Sequence, residues 1–340
     1  MNSRQRTSLR YAISVVLTTV FLYLAFRGTD FVKLYEALLS ANYWWMIPSF
    51  VCLIVSHLLR SWRWRYMLEP VKPNIGFRNL FSAVMVGYFL NNILPRAGEL
   101  GRPYTIGKLE SIPKSAAFGT VVVERIIDTA SFVVLVLLIP FIYEGPLRES
   151  FPWLERAGMI VTVGTGAVMV VMVGLMIRRD WTDVLLRLVA RFLPERMAGR
   201  LEGMAHSFLD GLLFLKRPGR FAIILVLSIL IWVLYILMVY VAFFAFGIQN
   251  QLGFAGAIVV QAISSIGVAI PTPGSTGSYH AFTSQTLIKL FAIDPTVALS
   301  YATVTHAAGF VGVTLIGIYY FLKDNITVAE AVGKEEETGP

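Results

Sequence analysis

The sequence predicts an all-α integral membrane protein with about six full spans and two re-entrant broken-helix hairpins in an inverted repeat. Three observations lead to this prediction. The chain of 340 residues is 56% hydrophobic and only 15% charged, whereas a soluble domain carries about 25% charged residues. Several stretches reach the roughly 20 mostly apolar residues that cross a bilayer. Two further apolar runs are each interrupted by a copy of the same Pro-Gly motif.

The predicted full spans are separated by loops whose basic charge alternates along the chain. The spans cover about 10–27, 43–62, 115–142, 157–177, 221–247 and 297–322. Arginine is frequent before the first span, after the second and in segment 178–220, and basic residues are few in the loops between. Because Lys and Arg mark cytoplasmic loops, we predict a multi-pass protein of the cytoplasmic membrane with both termini in the cytoplasm. No small-residue cleavage site follows the first span, which we therefore expect to remain attached.

The two interruptions share one motif. Pro95-Arg96-Ala97-Gly98-Glu99-Leu100-Gly101 and Pro271-Thr272-Pro273-Gly274-Ser275-Thr276-Gly277 both read Pro-x-x-Gly-x-x-Gly, with one common spacing between corresponding anchors. Each motif ends an apolar run and precedes a shorter, more polar segment, so we predict two hairpins. A bilayer tolerates broken backbone only where protein or a water-filled cavity covers it. Breaks at corresponding places in two halves therefore indicate a transporter binding site.

The flanking spans extend this match into two repeat units within one membrane domain, 1–322. The units cover about 43–142 and 221–322. The first span of the second unit comes three spans after that of the first, and an odd number reverses orientation, so we predict an inverted repeat. Between them, segment 178–220 has apolar residues at helical spacing with arginines among them, as in amphipathic helices on an anionic leaflet. The net charge of +8 is better explained by lipid headgroups than by nucleic acid. The polar tail 323–340 is predicted to be disordered and cytoplasmic.

Charged residues inside the span 115–142 are the first candidates for function. Glu124, Arg125 and Asp128 lie about ten residues from its start, which corresponds to mid-depth at 1.5 Å per residue. Charges at that depth cost several kcal/mol unless they are paired or hydrated. They could contact a ligand or gate its passage, or they could form a structural ion-pair cluster in which Arg125 bridges both acids.

The hairpin breaks supply candidates for an anion site. If helices begin at Gly98 and after Gly274, their free N–H groups and positive dipole ends point toward the midplane and suit a phosphate. The alternative is that those N–H groups are capped by Ser275 or Glu99. The substrate-binding candidates from the breaks are Asn91, Asn92, Arg96, Gly98, Glu99, Arg102, Pro271, Pro273, Gly274, Ser275, Thr276 and Gly277.

Histidine and arginine supply the remaining candidates. His280 and His306 lie in the second unit, either as packing residues or, for His306, as a site of proton coupling. The run Arg60-Ser61-Trp62-Arg63-Trp64-Arg65 is typical of interfacial anchoring, with direct contact to a lipid phosphate as the alternative. The sequence has no metal-ligand spacing and no ATP-binding motif, so we expect no metal, no cofactor and no ATP hydrolysis.

Three segments resemble the lysylphosphatidylglycerol synthase transmembrane (flippase-like) family over about 10–322. They are Asn91-Asn92-Ile93-Leu94-Pro95-Arg96-Ala97-Gly98-Glu99-Leu100-Gly101-Arg102, Glu124-Arg125-Ile126-Ile127-Asp128 and Pro271-Thr272-Pro273-Gly274. The resemblance implies a lipid-translocating domain, which in the best-known members moves aminoacylated phosphatidylglycerol. A related region accompanies glycosyltransferases acting on polyprenyl-linked sugars.

This sequence departs from the family pattern in two respects. Ser275 and His280 stand where the family often has glycine and an acidic residue, which leaves room for a substrate with a different headgroup charge. The chain also ends soon after Leu322. We therefore expect a stand-alone member without the aminoacyl-transfer domain.

The functional prediction is flipping of an anionic phospholipid or lipid-linked headgroup, with the phosphate held between the two half-helix N-termini. One alternative is a membrane transferase that uses a polyprenyl- or phospholipid-linked donor, with Glu99 or Asp128 as the base. The other is an accessory subunit of a lipid-modifying enzyme, docked through 178–220. Membrane lipids are the predicted partners and nucleic acid is not. Further possible partners are a second copy of the chain, in a homodimer, and a cytoplasmic lipid-modifying enzyme.

Overall fold

The computed structural model describes residues 3–28, 30–177 and 218–327. All regular elements within these ranges are helices, which confirms the predicted all-α class. Most of the predicted amphipathic segment 178–220 and most of the predicted tail 323–340 lie outside the described residues.

Twelve α-helices follow one another in the described ranges. They are α1 (Ser3–Phe26), α2 (Phe31–Ser40), α3 (Met46–Leu68), α4 (Phe77–Ile93), α5 (Gly98–Glu110), α6 (Lys114–Ile142), α7 (Leu147–Ser150), α8 (Trp153–Ile177), α9 (Pro218–Ala245), α10 (Gln249–Ala269), α11 (Ser278–Phe291) and α12 (Pro295–Lys323). Short 3-10 turns occur at Tyr43–Trp45 and Pro273–Ser275.

The membrane-spanning candidates agree with a multi-pass protein. By length and composition, five described helical stretches could cross a bilayer: Tyr43–Leu68, Lys114–Ile142, Gly219–Ala245, Gln249–Ala269 and Pro295–Lys323. The apolar part of α1 together with α2 would make a sixth, although the two are bent by 84°. The helix Gln249–Ala269 is α10, which the sequence predicts as a hairpin arm; its length alone would allow it to cross.

Side chains at the helix ends explain several boundaries. The carboxylate of Asp30 accepts from the N–H groups of Val32 and Lys33, and Asp294 does the same for Thr296 and Val297. Such caps satisfy donors that the first helical turn leaves open. The second arms of the hairpins, α5 and α11, both stop at a left-handed residue, Ser111 and Ala292.

The packing repeats in the two predicted units. The arms of each hairpin pack on each other, α4 on α5 and α10 on α11, and the leading helices α3 and α9 pack together. The first arm of each hairpin also packs against the last helix of the other unit, α4 on α12 and α10 on α6. This reciprocal pattern agrees with two corresponding units. The opposite insertion of the units into a membrane stays a prediction.

The arms of the first hairpin cross at a pair of glycines. A Cβ atom at Gly98 would lie 1.9 Å from the carbonyl oxygen of Gly87, and one at Gly87 would lie 2.3 Å from Cγ of Arg102. Backbone cannot yield at the first contact as a flexible side chain can, so the crossing depends on glycine at position 98.

We expect Gly98→Ala to separate α4 from α5 and to lower stability by about 3 kcal/mol or more, as overpacking of a rigid contact does. Thermal unfolding of the detergent-purified protein measures this. Gly158→Ala is a matched control, because a Cβ there would meet nothing within 4 Å. Equal melting temperatures for the two variants would contradict the role assigned to the crossing.

Glu110, at the end of α5, fastens the hairpin to the loop before α4. Its carboxylate accepts from Lys72 Nζ and Asn79 Nδ2, both at 2.7 Å, and from the N–H of Gly76 at 3.1 Å. Burial raises the pKa of this carboxyl, but the hydrogen bonds from Lys72, Asn79 and Gly76 and the charge of Lys72 outweigh it and hold the pKa below its ordinary value.

The depressed pKa gives a pH dependence with a definite sign. A carboxyl with a lowered folded-state pKa stabilises the fold above its unfolded value, about 4.3, and loses that contribution as pH falls through the folded value. The melting temperature of native protein should therefore exceed that of Glu110→Gln at about pH 7, and the gap should narrow as pH falls below about 4.3. A gap that widens on acidification would contradict the assignment.

Candidate functional site

Two buried acids of α6 form the centre of the site. Glu124 is fully buried, and the side chain of Asp128 is 15% exposed. They lie one helical turn apart and therefore on one face of α6. That face meets the arginines of α3 and α5, so both carboxylates are paired inside the protein.

Arginines of α3 contribute the first two partners. Arg60 forms a close ion pair with Glu124, and its Nη1 lies 2.9 Å from Asp128 Oδ2. Arg63 Nη2 lies 2.8 Å from Asp128 Oδ1 and 3.4 Å from Glu124 Oε1. Both arginines also reach α9, where Arg60 donates to the hydroxyl of Tyr235 and Arg63 to that of Ser228. The cluster therefore joins the leading helices of both units.

Arg102 ties the first hairpin to the same centre. Its two Nη atoms donate to the two oxygens of Glu124, each at 3.0 Å. The guanidinium also lies 4.4 Å from the centre of the Trp64 ring, in the range of a cation–π contact. Bidentate pairing and a buried aromatic face fix this side chain in one orientation.

Arg125 differs from the other three arginines in being accessible. Its Nη2 lies 3.1 Å from Glu124 and 3.8 Å from Asp128. Its side chain is 41% exposed, whereas those of the other three are 5% exposed or less. It lines a small cleft beside the first break, together with Gly87, Tyr88, Asn91, Gly98, Glu99, Arg102 and Val121. Four guanidinium groups thus meet two carboxylates, and the accessible guanidinium faces the cleft.

The first break differs from the predicted anion site in its backbone. The N–H of Gly98 donates to Asn91 Oδ1 at 2.7 Å. The N–H groups of Glu99 and Leu100 donate to the carbonyl oxygens of Arg96 and Ala97. The N–H groups expected to be free at the start of α5 therefore have acceptors, and the cleft offers guanidinium groups to an anion instead.

The second break also departs from prediction. Gly274, Ser275 and Gly277 all have positive φ, and the 3-10 turn Pro273–Ser275 lies inside the motif, before the next helix. The helix α11 consequently begins at Ser278, four residues after Gly274. The half-helix predicted after Gly274 therefore starts only beyond the motif, because three left-handed residues cannot continue an α-helix.

The two breaks nevertheless meet, as their matching positions suggest. Arg96 Nη2 reaches the carbonyl oxygen of Ala269 at 3.5 Å. Asn92 donates to Thr314 at 2.7 Å, and its Oδ1 lies 3.1 Å from the position of a Cβ at Gly274. The described hydrogen bonds and ion pairs of the arginine cluster, by contrast, go to α3, α5, α6 and α9. The cluster belongs to the first break.

The two predicted histidines, His280 and His306, lie at the second break. His306 Nε2 is 2.9 Å from the carbonyl oxygen of Gly274. His280 Nδ1 accepts from the N–H of Gly277 at 3.3 Å, and the two imidazole rings are 4.7 Å apart. The other predicted residues of this break are polar or turn-forming: Pro271, Pro273, Ser275 and Thr276.

Arg60 and Arg63 are the site residues that sequence reasoning missed. Interfacial anchoring is wrong for them and for Trp64, which are 4%, 0% and 0% exposed; Trp62, at 48%, still fits that role. The missed signal was periodicity. His57, Arg60, Ser61 and Trp64 recur at intervals of three and four, which places polar residues on one buried helix face. No group of three or more metal-ligating side chains occurs in the part of the chain that the structure describes.

Comparison with known proteins agrees with this picture of a membrane family. A UPF0104 membrane protein of Methanothermobacter thermautotrophicus is 26% identical over 83% of this chain and 86% of its own length. One from Methanocaldococcus jannaschii is 36% identical, over 37% of this chain and 39% of its own length. A Haloferax volcanii protein named glycosyltransferase AglD is 24% identical over 84% of this chain, which spans half of that protein.

No solved structure matches the chain significantly. The family described as the lysylphosphatidylglycerol synthase TM region matches residues 11–317. That match includes both hairpin breaks and every arginine and carboxylate of the cluster, so the chain belongs to the lysylphosphatidylglycerol synthase transmembrane-region family.

Proposed function

We propose that this protein moves a phosphate-bearing lipid headgroup across the cytoplasmic membrane. The observation that carries the proposal is the excess of guanidinium over carboxylate around Glu124, with Arg125 41% exposed to the cleft. Charge in a membrane-embedded site is costly unless it is paired. An anionic group in the cleft would supply the missing countercharge.

Arg125 would make the first contact with the phosphate. The guanidinium of Arg102, behind Arg125, would add a second positive charge. Guanidinium groups suit this task because their planar donors match phosphate oxygens. The N–H groups at the start of α5 are already bonded. In this proposal the phosphate therefore binds to side chains and not to two helix N-termini. The acyl or prenyl chains would remain in the bilayer.

The arrangement of the hairpins supports passage through the protein. Two broken helices meet where Arg96 contacts Ala269, and paired breaks of this kind are typical of transporters whose units rock around a central site. In this proposal the two units are inverted and both termini are cytoplasmic. The family name includes a phospholipid, lysylphosphatidylglycerol, and in this proposal the substrate is an anionic phospholipid or a polyprenyl-linked headgroup.

A reconstitution assay tests the proposal. Purified protein is placed in liposomes with a fluorescent anionic phospholipid, and a membrane-impermeant quencher reports which leaflet holds the label. We expect protein-dependent loss of inner-leaflet protection. An uncharged diacylglycerol labelled in the same way shows whether the phosphate matters. Equal movement of the two lipids, or no movement of any phosphate-bearing lipid, would contradict the proposal.

One observation favours a second function. Glu99 lines the same cleft as Arg125 and forms no ion pair among the described residues, whereas Asp128 is held by arginines. An unpaired carboxylate beside a bound phosphate could act as the base of a membrane transferase. Mass spectrometry of a defined lipid-phosphate donor and acceptor after incubation would reveal a new lipid, and Glu99→Gln should prevent its formation.

A further inference from the structure

His306 fastens the second break to α12. Its Nε2 lies 2.9 Å from the carbonyl oxygen of Gly274, and that residue belongs to a turn with three left-handed residues. Since a carbonyl oxygen only accepts, this nitrogen carries the proton in the neutral ring. The lone pair of the neutral ring is therefore on Nδ1.

Two aromatic rings lie close enough to His306 to favour an imidazolium. The Phe310 ring stacks on it with a centroid distance of 5.7 Å and an interplanar angle of 27°, and the Tyr279 ring lies at 5.6 Å. Aromatic faces attract cations at such distances, and the carbonyl of Gly274 would accept from the charged ring as it does from the neutral one. His280 is less suited, because its Nδ1 already accepts from Gly277.

Among the described residues, few titratable or charged groups face His306. From α11 it faces Tyr279 and His280, and Tyr279 bonds to Thr305 of α12. From the first break, Arg96 reaches only the neighbouring carbonyl of Ala269. The α3 residues packed near this part of α12 are apolar, Leu53 against Gly309 and Phe50 against Gly312. The contribution of α1 next to His280 is Phe26.

We propose that His306 is a proton-binding site, and that its protonation strengthens the hydrogen bond fastening the second break to α12. Hydrogen bonds from a charged donor are roughly twice as strong as neutral ones. A protonated His306 holds the turn around Gly274 closed, and a neutral one lets it open more often. This inference rests on the geometry of the break and not on the proposed transport.

Cysteine labelling tests the inference without any transport measurement. The chain has one cysteine, so Cys52→Ala with Ser275→Cys places a single thiol in the turn. Labelling by a maleimide is measured between about pH 8 and about pH 5, where histidines titrate. At each pH, the labelling rate of this protein is divided by the rate of the same protein carrying His306→Gln. The titration of the thiol affects both rates and cancels in the ratio.

The expected ratio falls about fivefold on acidification, in line with the stronger charged hydrogen bond. Repeating the ratio in protein that also carries His206→Gln should leave this fall intact. A ratio that does not change with pH would overturn the proposal.

A spectroscopic measurement covers the case in which His306→Gln folds poorly. The chain has four histidines, so selective ¹⁵N-histidine labelling gives a simple spectrum for a titration in detergent. We expect one titrating imidazole whose midpoint moves to lower pH in Phe310→Leu, because the stacked ring that favours the cation is lost. An unchanged midpoint in that variant, or no titrating imidazole beyond those retained in His306→Gln, would overturn the proposal.

Discussion

Arg125→Ala is expected to reduce movement of anionic phospholipid by about 10- to 100-fold, since a hydrogen bond to a charged group contributes about 1.5–3 kcal/mol. The fold should survive this change. Glu124 keeps Arg60 and Arg102 as partners, and Asp128 keeps Arg60 and Arg63. The liposome quenching assay measures the loss.

Two further variants make the result specific. Arg125→Lys keeps the charge but loses the planar pair of donors, so transport should fall to an intermediate level. Arg65→Ala removes a half-buried arginine of α3 for which no ion pair is described, and it should transport like the native protein. Native rates in Arg125→Ala would remove this residue from the mechanism, and equal losses in the Arg65 variant would indicate a general electrostatic effect.

Glu124→Gln is expected to cause the largest loss of stability of any single substitution in the cluster. The fully buried carboxylate pairs with all four arginines. Its neutralisation leaves four guanidinium groups with Asp128 alone. Breaking one buried ion pair costs about 3–5 kcal/mol, and the loss here should reach the upper part of that range. Thermal unfolding and size-exclusion chromatography in detergent measure it.

Partial rescue identifies the cause of this instability. Glu124→Leu combined with Arg102→Leu removes a charge of each sign and substitutes apolar contact, so it should be more stable than Glu124→Leu alone. Asp128→Asn should be milder than Glu124→Gln, because Asp128 is partly exposed and contacts fewer arginines. A melting temperature for Glu124→Gln within a degree or two of native would show that the carboxylate is not charged in the folded protein.

Much of the architecture was readable from composition and periodicity. Apolar length predicts helices that cross a bilayer whatever their neighbours are, and the Pro-Gly motifs at Pro95 and Pro271 identify both breaks. The residues Glu124, Arg125 and Asp128 were recognisable because charges are rare inside apolar spans. The shape of each break was harder to predict. Gly98 starts α5, whereas α11 starts only at Ser278 because left-handed residues come first.

The sequence by itself determined the helical membrane class, the two breaks and the acidic pair of α6, because local apolarity and helix breakers act without reference to distant residues. Only the tertiary structure decided how charge is distributed among the arginines. Arg60 and Arg63 arrive from α3 and Arg102 from α5, and their burial leaves Arg125 as the accessible member. Pairing between charges depends on which helices pack together, and for separate helices that is set by the whole fold.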